Sequence, residues 1–228
     1  ETSSYWSKAV ALIDAIIAAN SADVDGITGA TYSSNGIKEA VNNALKSAVD
    51  HGVFADGDGS EDDPYTIENA EQLEDFAESV DNGESYEGEY IALSSDIDLS
   101  EITSWNPIGA ESGTSGIFAG TFDGVNHTIS KLTISEEYEG AANVGLFSAL
   151  DSGAVVKNLI IKDTDINVSA GGMLRVGAVA GNGNTNSGMK IDSVEVSGMI
   201  SAESTGISHA GGVVGGDGNY AVISNVCS

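Results

Sequence analysis

Four segments of this chain can be laid over one another: Ile129-Ser-Lys-Leu132-Thr-Ile134, Val156-Lys-Asn-Leu159-Ile-Ile161, Ile191-Asp-Ser-Val194-Glu-Val196 and Ile223-Ser-Asn-Val226-Cys. Their spacing is irregular but close to about thirty residues, a period that belongs to stacked repeats. Upstream of each lies a glycine-flanked apolar run: Gly116-Ile-Phe-Ala-Gly120, Val144-Gly-Leu-Phe147, Val176-Gly-Ala-Val-Ala-Gly181 and Ala210-Gly-Gly-Val-Val-Gly215. One such repeat cannot bury its apolar face alone, so it must stack on its neighbours as a solenoid. The repeats hold short β-branched strands and no helical stripe. The expected fold class is therefore mainly β, a right-handed parallel β-helix or β-solenoid with a small helical N-terminal segment. Glycines should sit where the chain turns too tightly for a Cβ. Ile129, Leu132, Val156, Leu159, Ile161, Ile191, Val194, Val196, Ile223 and Val226 should form one buried interior column.

Composition narrows the function. Eight Lys and Arg face 35 Asp and Glu, a formal charge of −27, which excludes an electrostatic grip on nucleic acid or anionic lipid. The 41% hydrophobic content is too high for a disordered chain. The most apolar stretch, Ala9 to Ala19, is interrupted by Asp14 and is too short to cross a bilayer, so no transmembrane segment is expected in this chain. Cys227 is the single cysteine, which rules out an internal disulfide framework and a cysteine-based zinc site. It reads as a buried apolar thiol. The acidic, lysine-poor surface fits an exported protein at least as well as a cytosolic one. Because Ser228 falls inside a repeat, the natural protein is expected to continue.

The first 52 residues have a different period. Ala9, Leu12, Ile13, Ile16 and Ile17 recur at helical spacing, predicting an amphipathic helix over roughly 5–19. A second helix should follow Ser33 or Ser34 as N-cap, with Ile37, Val41, Ala44, Leu45 and Ala48 on one stripe and Gly52 as its stop. Residues 53–88 read as an acidic linker, Phe54 to Ile67, and a third helix that leads into the solenoid of residues 89–228. Asn69 and Gln72 form a capping-box pattern there, and Leu73, Phe76, Ala77 and Val80 should face inward.

Two resemblances carry functional content. The VGxxxG runs, together with DPYTI at Asp63 to Ile67, YIALSSDIDLS at Tyr90 to Ser100, WNPIG at Trp105 to Gly109 and GTFDGVNHTISKLTI at Gly120 to Ile134, resemble the GLUG repeats of bacterial surface proteins and their lead-in. Such arrays occur in adhesins, peptidases and other exported proteins. The segment DGITGATYSSNGIKEAV, Asp25 to Val41, resembles the C-terminal portion of the FMN-binding domain of sodium-pumping and related membrane oxidoreductases. In that family a flavin transferase esterifies FMN, through its phosphate, onto the last residue of an Asp-x-x-Ser/Thr-Gly-Ala-Thr/Ser pattern. The resemblance implies Thr31 as acceptor, with Asp25, Thr28, Gly29 and Ala30 completing the cofactor-binding motif. Thr31 would then lie just before a helix whose free N–H groups and dipole favour an anion. The domain's usual β-strands have no counterpart in the few residues before the first helix.

Other constellations are weaker. Asp56, Asp58, Glu61, Asp62 and Asp63 are dense enough for calcium but lack EF-hand order, and read as a solvated loop. Asp163 and Asp165 read as a chance pair rather than catalytic carboxylates, and neither HExxH nor GxSxG occurs. Two functions stay open. One is an exported bacterial cell-surface protein whose solenoid is a binding, adhesion or spacer module for a surface protein or glycan. The other is an extracytoplasmic redox protein using covalent FMN on Thr31 as an electron relay.

Overall fold

The computed structural model describes Leu12, Ile13, Ile16, residues 36–38, Val41 and residues 53–109, 116–183, 188–216 and 222–226. The chain divides into two compact units, Glu1–Gly52 and Val53–Ser228.

The second unit is a parallel β-solenoid whose coils visit three sheets. The first sheet runs β1 (Tyr65–Ile67), β2 (Tyr90–Leu93), β4 (Thr121–Asp123), β9 (Val155–Ala170), β12 (Lys190–Ser204) and β15 (Val222–Ser224), all parallel neighbours. Three short strands complete it: β3 (Ile97–Asp98), β5 (Thr128–Ser130) and β6 (Thr133–Tyr138). The second sheet stacks β7 (Ala142–Val144), β10 (Leu174–Val176) and β13 (Ser208–Ala210). The third stacks β8 (Phe147–Leu150), β11 (Ala180–Gly183) and β14 (Val214–Gly216).

Register shows how the repeats bury one another. Tyr65, Ile91, Phe122, Val156, Ile191 and Ile223 stand in line, each paired with the next. Ile97, Ile129, Ile161 and Val196 make a second line, and Leu159 pairs with Val194. The expected single column is thus several parallel columns. Eight of its ten residues are buried, Val226 is only partly buried, and Ile223 on the last described rung is 44% exposed. The superposition of Val156, Ile191 and Ile223 holds, whereas Ile129 lies under Ile161 and Phe122 takes the place below Val156. The cause is a wider corner after Asp123, where both Val125 and Asn126 have positive φ, against a single such residue, Asn158, one coil later.

Corners and glycines divide their labour differently from expectation. Asn158, Ser193 and Asn225 make equivalent left-handed corners with φ of 50, 57 and 53°, and Lys131 and Asp163 another with 59 and 55°. Asn, Asp and Ser tolerate this region because a short polar side chain bonds locally. The motif glycines Gly145, Gly177, Gly181 and Gly215 have no positive φ; they are small because coils touch there. A Cβ on Gly181 would lie 2.2 Å from Val144 N, and one on Gly215 2.2 Å from Val176 N.

Residues 53–88 supply the first coil rather than a linker. β1 already pairs with β2, and the acidic loop before it is tied down by Ala55 N to Thr66 O at 2.8 Å and Asp58 N to Asp63 O at 3.0 Å. The helix α1 (Ala70–Asp81) follows, capped by Asn69, whose side chain accepts from Gln72 N at 2.9 Å. Gln72 Oε1 accepts from Glu68 N at 2.8 Å, one residue ahead of the N–H used in a standard capping box. Leu73, Phe76, Ala77 and Val80 are buried as the stripe requires. Phe76 joins a chain of rings: Phe54 stacks on Tyr65 at 4.5 Å, Phe76 meets Phe118 at 5.7 Å, and Phe118 stacks on Phe147 at 5.1 Å. This aromatic wedge fills the first coils, where the strands are too short to do so.

Candidate functional site

Asp25, Thr28, Gly29, Ala30 and Thr31 lie outside the described residues, as do Ser33, Ser34 and Cys227. What flanks the motif is helical. Leu12 and Ile16 are buried helix residues, while Ile13 between them is 40% exposed and so leaves the expected stripe. Gly36, Ile37, Lys38 and Val41 are helical too. Gly36 is exposed and a Cβ on it would meet nothing within 4 Å; Ile37, Lys38 and Val41 are half-buried. The described residues that follow the motif are therefore helical.

On the solenoid, α1 and the Trp105 segment enclose a cleft of about 400 Å³ lined by Glu74, Glu78, Asp81, Asn82 and Asn106 over a floor of Ala77 and Trp105. Asn106 Nδ2 donates to Asp81 Oδ2 at 3.0 Å, joining helix to loop. Trp105 is 2% exposed and its Nε1 donates to the Leu146 carbonyl at 3.1 Å, so its ring is packed as a wall rather than offered for stacking. The cleft's chemistry is acidic and hydrogen-bonding, suited to an amine or a polyhydroxylated ligand. Sequence held half the signal, since Glu74, Glu78 and Asp81 share one helix face.

A row of charges also runs up the outside of the first sheet. Asp123, Lys157 and Asp192 are successive rungs. Asp123 accepts from Asn158 Nδ2 at 3.0 Å and pairs with Lys157 Nζ at 3.2 Å. Asp192 repeats the motif, accepting from Lys190 Nζ at 3.0 Å, Asn225 Nδ2 at 2.8 Å and Ser224 Oγ at 2.9 Å. The Lys190 contact, then the Asn225 and Ser224 hydrogen bonds, hold its carboxyl down from 3.8 to about 2. A carboxylate depressed in the folded state stabilises above its unfolded pKa, and that gain is lost as pH falls through the folded value. Asp192→Asn should therefore lower the urea midpoint at pH 5, with the gap from the parent closing between about pH 4 and pH 2. A gap of constant size down to pH 2 would show that the charge is not what the network uses.

The acidic loop is likewise occupied with itself. Asp58 is lowered by the Ser60 side chain and Ser60 N–H, and Asp63 N donates to Ser60 Oγ at 3.1 Å. Among the described residues no group of three or more His, Cys, Asp or Glu is placed to hold a metal ion. Asp163 and Asp165 are both exposed, the first at a left-handed corner, and Ser208 and His209 are exposed neighbours on β13.

Comparison with known proteins separates the two units. Residues 1–46 match the FMN-binding domain family. Halomucin of Haloquadratum walsbyi is 32% identical over 167 residues, which are 70% of this chain and 2% of that protein. The "Putative Gly-rich membrane protein" of Evansella cellulosilytica is 33% identical over 141 residues, 59% of this chain and 15% of that protein. The chain thus spans a small part of either relative. A crystal structure of a "putative immunoglobulin A1 protease" from Bacteroides ovatus aligns with a TM-score of 0.35 and 16% identity over 76% of this chain and 70% of that one, too loosely to carry an argument. No described helix is long and apolar enough to cross a membrane.

Proposed function

We propose that this chain works at the surface of a bacterial cell, where its β-solenoid is a rigid binding or spacer module and its N-terminal segment carries FMN. The observation that carries this reading is the union, in one chain, of a match to the FMN-binding domain at 1–46 with a parallel β-solenoid. The charge of −27 supports an exported surface, and the relative named as a membrane protein supports a location at an envelope. A solenoid stacks rigid coils at fixed rise, which suits holding a group away from a wall or presenting one long face to a surface protein or glycan. The acidic cleft beside α1 is the part of that face with the chemistry to hold such a partner.

A second reading, an extracytoplasmic electron relay, is favoured by the Asp25-x-x-Thr28-Gly29-Ala30-Thr31 pattern. Thr31 Oγ1 would form the phosphoester, with net loss of water. Asp25 and Thr28 would shape the loop, and Gly29 and Ala30 would leave the backbone approachable by a bulky ligand. Bound FMN supplies reversible electron transfer. The test of both is intact-mass analysis after co-expression with a flavin transferase. The expected result is an increment of FMN minus water in the parent and none in Thr31→Val. No increment in the parent overturns FMN carriage and leaves the binding or spacer role alone; an increment that persists in Thr31→Val moves the acceptor elsewhere.

A further inference from the structure

Arg175 is the single arginine of the chain, against 35 Asp and Glu. It stands in the middle of β10 with Leu174 and Val176 buried on either side, so its own side chain points out from the second sheet. In a protein this acidic a cation is expected to meet a carboxylate. Three of the solenoid's four lysines do: Lys131 with Asp98 at 3.0 Å, Lys157 with Asp123 at 3.2 Å and Lys190 with Asp192 at 3.0 Å. Arg175 has no ion pair among the described residues. Among the same residues its guanidinium makes one hydrogen bond, from Nη1 to Asn143 Oδ1 at 3.4 Å, the limit of such a bond.

The surroundings of the guanidinium are built from two sheets. Asn143, Arg175 and His209 are successive rungs of the second, each paired with the next. Asn182 and Gly216 are successive rungs of the third. The arginine reaches from one sheet toward the other: a Cβ on Gly216 would stand 2.6 Å from Arg175 Cδ, 3.0 Å from its Nε and 3.4 Å from Asn182 Oδ1. Gly216 has no positive φ, so its missing side chain serves this space and not a turn. Arg175 lies there half-buried beside the half-buried Asn143 and Asn182, with His209 exposed next to it. The set is one guanidinium fork, two neutral amides and an imidazole.

We infer that this surface binds a sugar acid, with its carboxylate on the Arg175 fork and neighbouring hydroxyls on Asn143, Asn182 and His209. The planar fork matches a carboxylate bidentately. A dianionic phosphate or sulfate would meet twice the repulsion from a chain of net charge −27. An acidic peptide would bring backbone N–H and C=O groups as well, and the backbone here is spent on the rungs above and below. Sugar hydroxyls ask only for the amides and the imidazole beside the fork. None of these residues belongs to the acidic cleft beside α1. The inference deepens the binding role proposed for the solenoid and rests on it, while FMN carriage does not enter.

Because the chain has one arginine, the Nε–Hε NMR signal of Arg175 is unique and reports the site in the full chain. At about 0.15 M NaCl, screening over about 8 Å weakens repulsion from distant carboxylates and leaves the contact itself. Sodium D-glucuronate is expected to shift that signal saturably. Acetate, which lacks the hydroxyls, should bind about fivefold more weakly, the discrimination one neutral hydrogen bond supplies. Glucose, which lacks the carboxylate, should leave the signal in place, and inorganic sulfate should bind more weakly than glucuronate. Arg175→Lys keeps the charge and loses the fork, so glucuronate binding, followed by the Asn182 side-chain amide, should fall about tenfold with an unchanged urea midpoint. The inference is overturned by an Arg175 signal that stays in place or fails to saturate with glucuronate, by acetate, glucose or sulfate acting as well as glucuronate, or by undiminished binding in Arg175→Lys. Glucuronate shifts confined to other residues overturn this site and leave the solenoid a binding module.

Discussion

Gly177→Ala is expected to destabilise the solenoid by about 3 kcal/mol, because the added methyl overpacks a contact made of backbone alone. A Cβ there would stand 2.6 Å from Ala180 O, Val213 O and Val214 Cα. None of these is the end of a flexible side chain that could swing away. Relief would require the next coil to lift, yet Val179 N to Val213 O at 2.9 Å and Gly211 N to Val176 O at 3.0 Å hold that coil in place. Moving it gives up rung hydrogen bonds on two sheets at once. Gly140 is the control: it has no positive φ and nothing within 4 Å of an added Cβ, so Gly140→Ala should stay within about 0.5 kcal/mol of the parent. Urea midpoints of the two variants measure the difference, and coincident midpoints would show that the coils are not in contact at the motif glycines.

The same glycines explain what sequence could reveal. VGxxxG was legible as a repeat because every coil needs a residue without a side chain where two sheets close over the coil beneath. The pattern records contact, which is why it recurs, while the corners are made by Asn158, Ser193 and Asn225 and left no glycine signal. Register was harder to read. Matching Ile129 to Val156 compares strands by their apolar beats, but the corner between Asp123 and Thr128 has more residues than its successor, and apolar beats do not count corner residues. β1 escaped notice because three residues show too little of a period of two. The acidic cleft needed Asp81 and Asn106 to meet across the fold, which a linear pattern does not display. Thr31 was the reverse case, a local motif legible without any tertiary information.

One column offers the sharpest test of the stacking itself. Phe122 and Ile223 belong to the same ladder, three rungs apart with Val156 and Ile191 between them. Phe122 is fully buried, its ring 5.6 Å from Phe147 and 6.1 Å from Phe76, so it joins α1, the first sheet and the third sheet. Phe122→Ala should cost about 3 to 5 kcal/mol, the sum of lost apolar transfer and a cavity that rigid rungs above and below cannot close. Ile223 is 44% exposed and covered on one side, so Ile223→Ala should cost less than about 1 kcal/mol. Leu159→Ala, fully buried on the neighbouring column, should fall between them at about 2 to 5 kcal/mol. In a stack where each coil leans only on its neighbours, loss at an inner rung severs both contacts and loss at an outer rung severs one. The three urea midpoints should therefore rank Phe122→Ala lowest and Ile223→Ala nearest the parent. A penalty at Ile223 as large as that at Phe122 would mean that the last rung is itself covered in solution, and the ladder would then have no free end at Ile223.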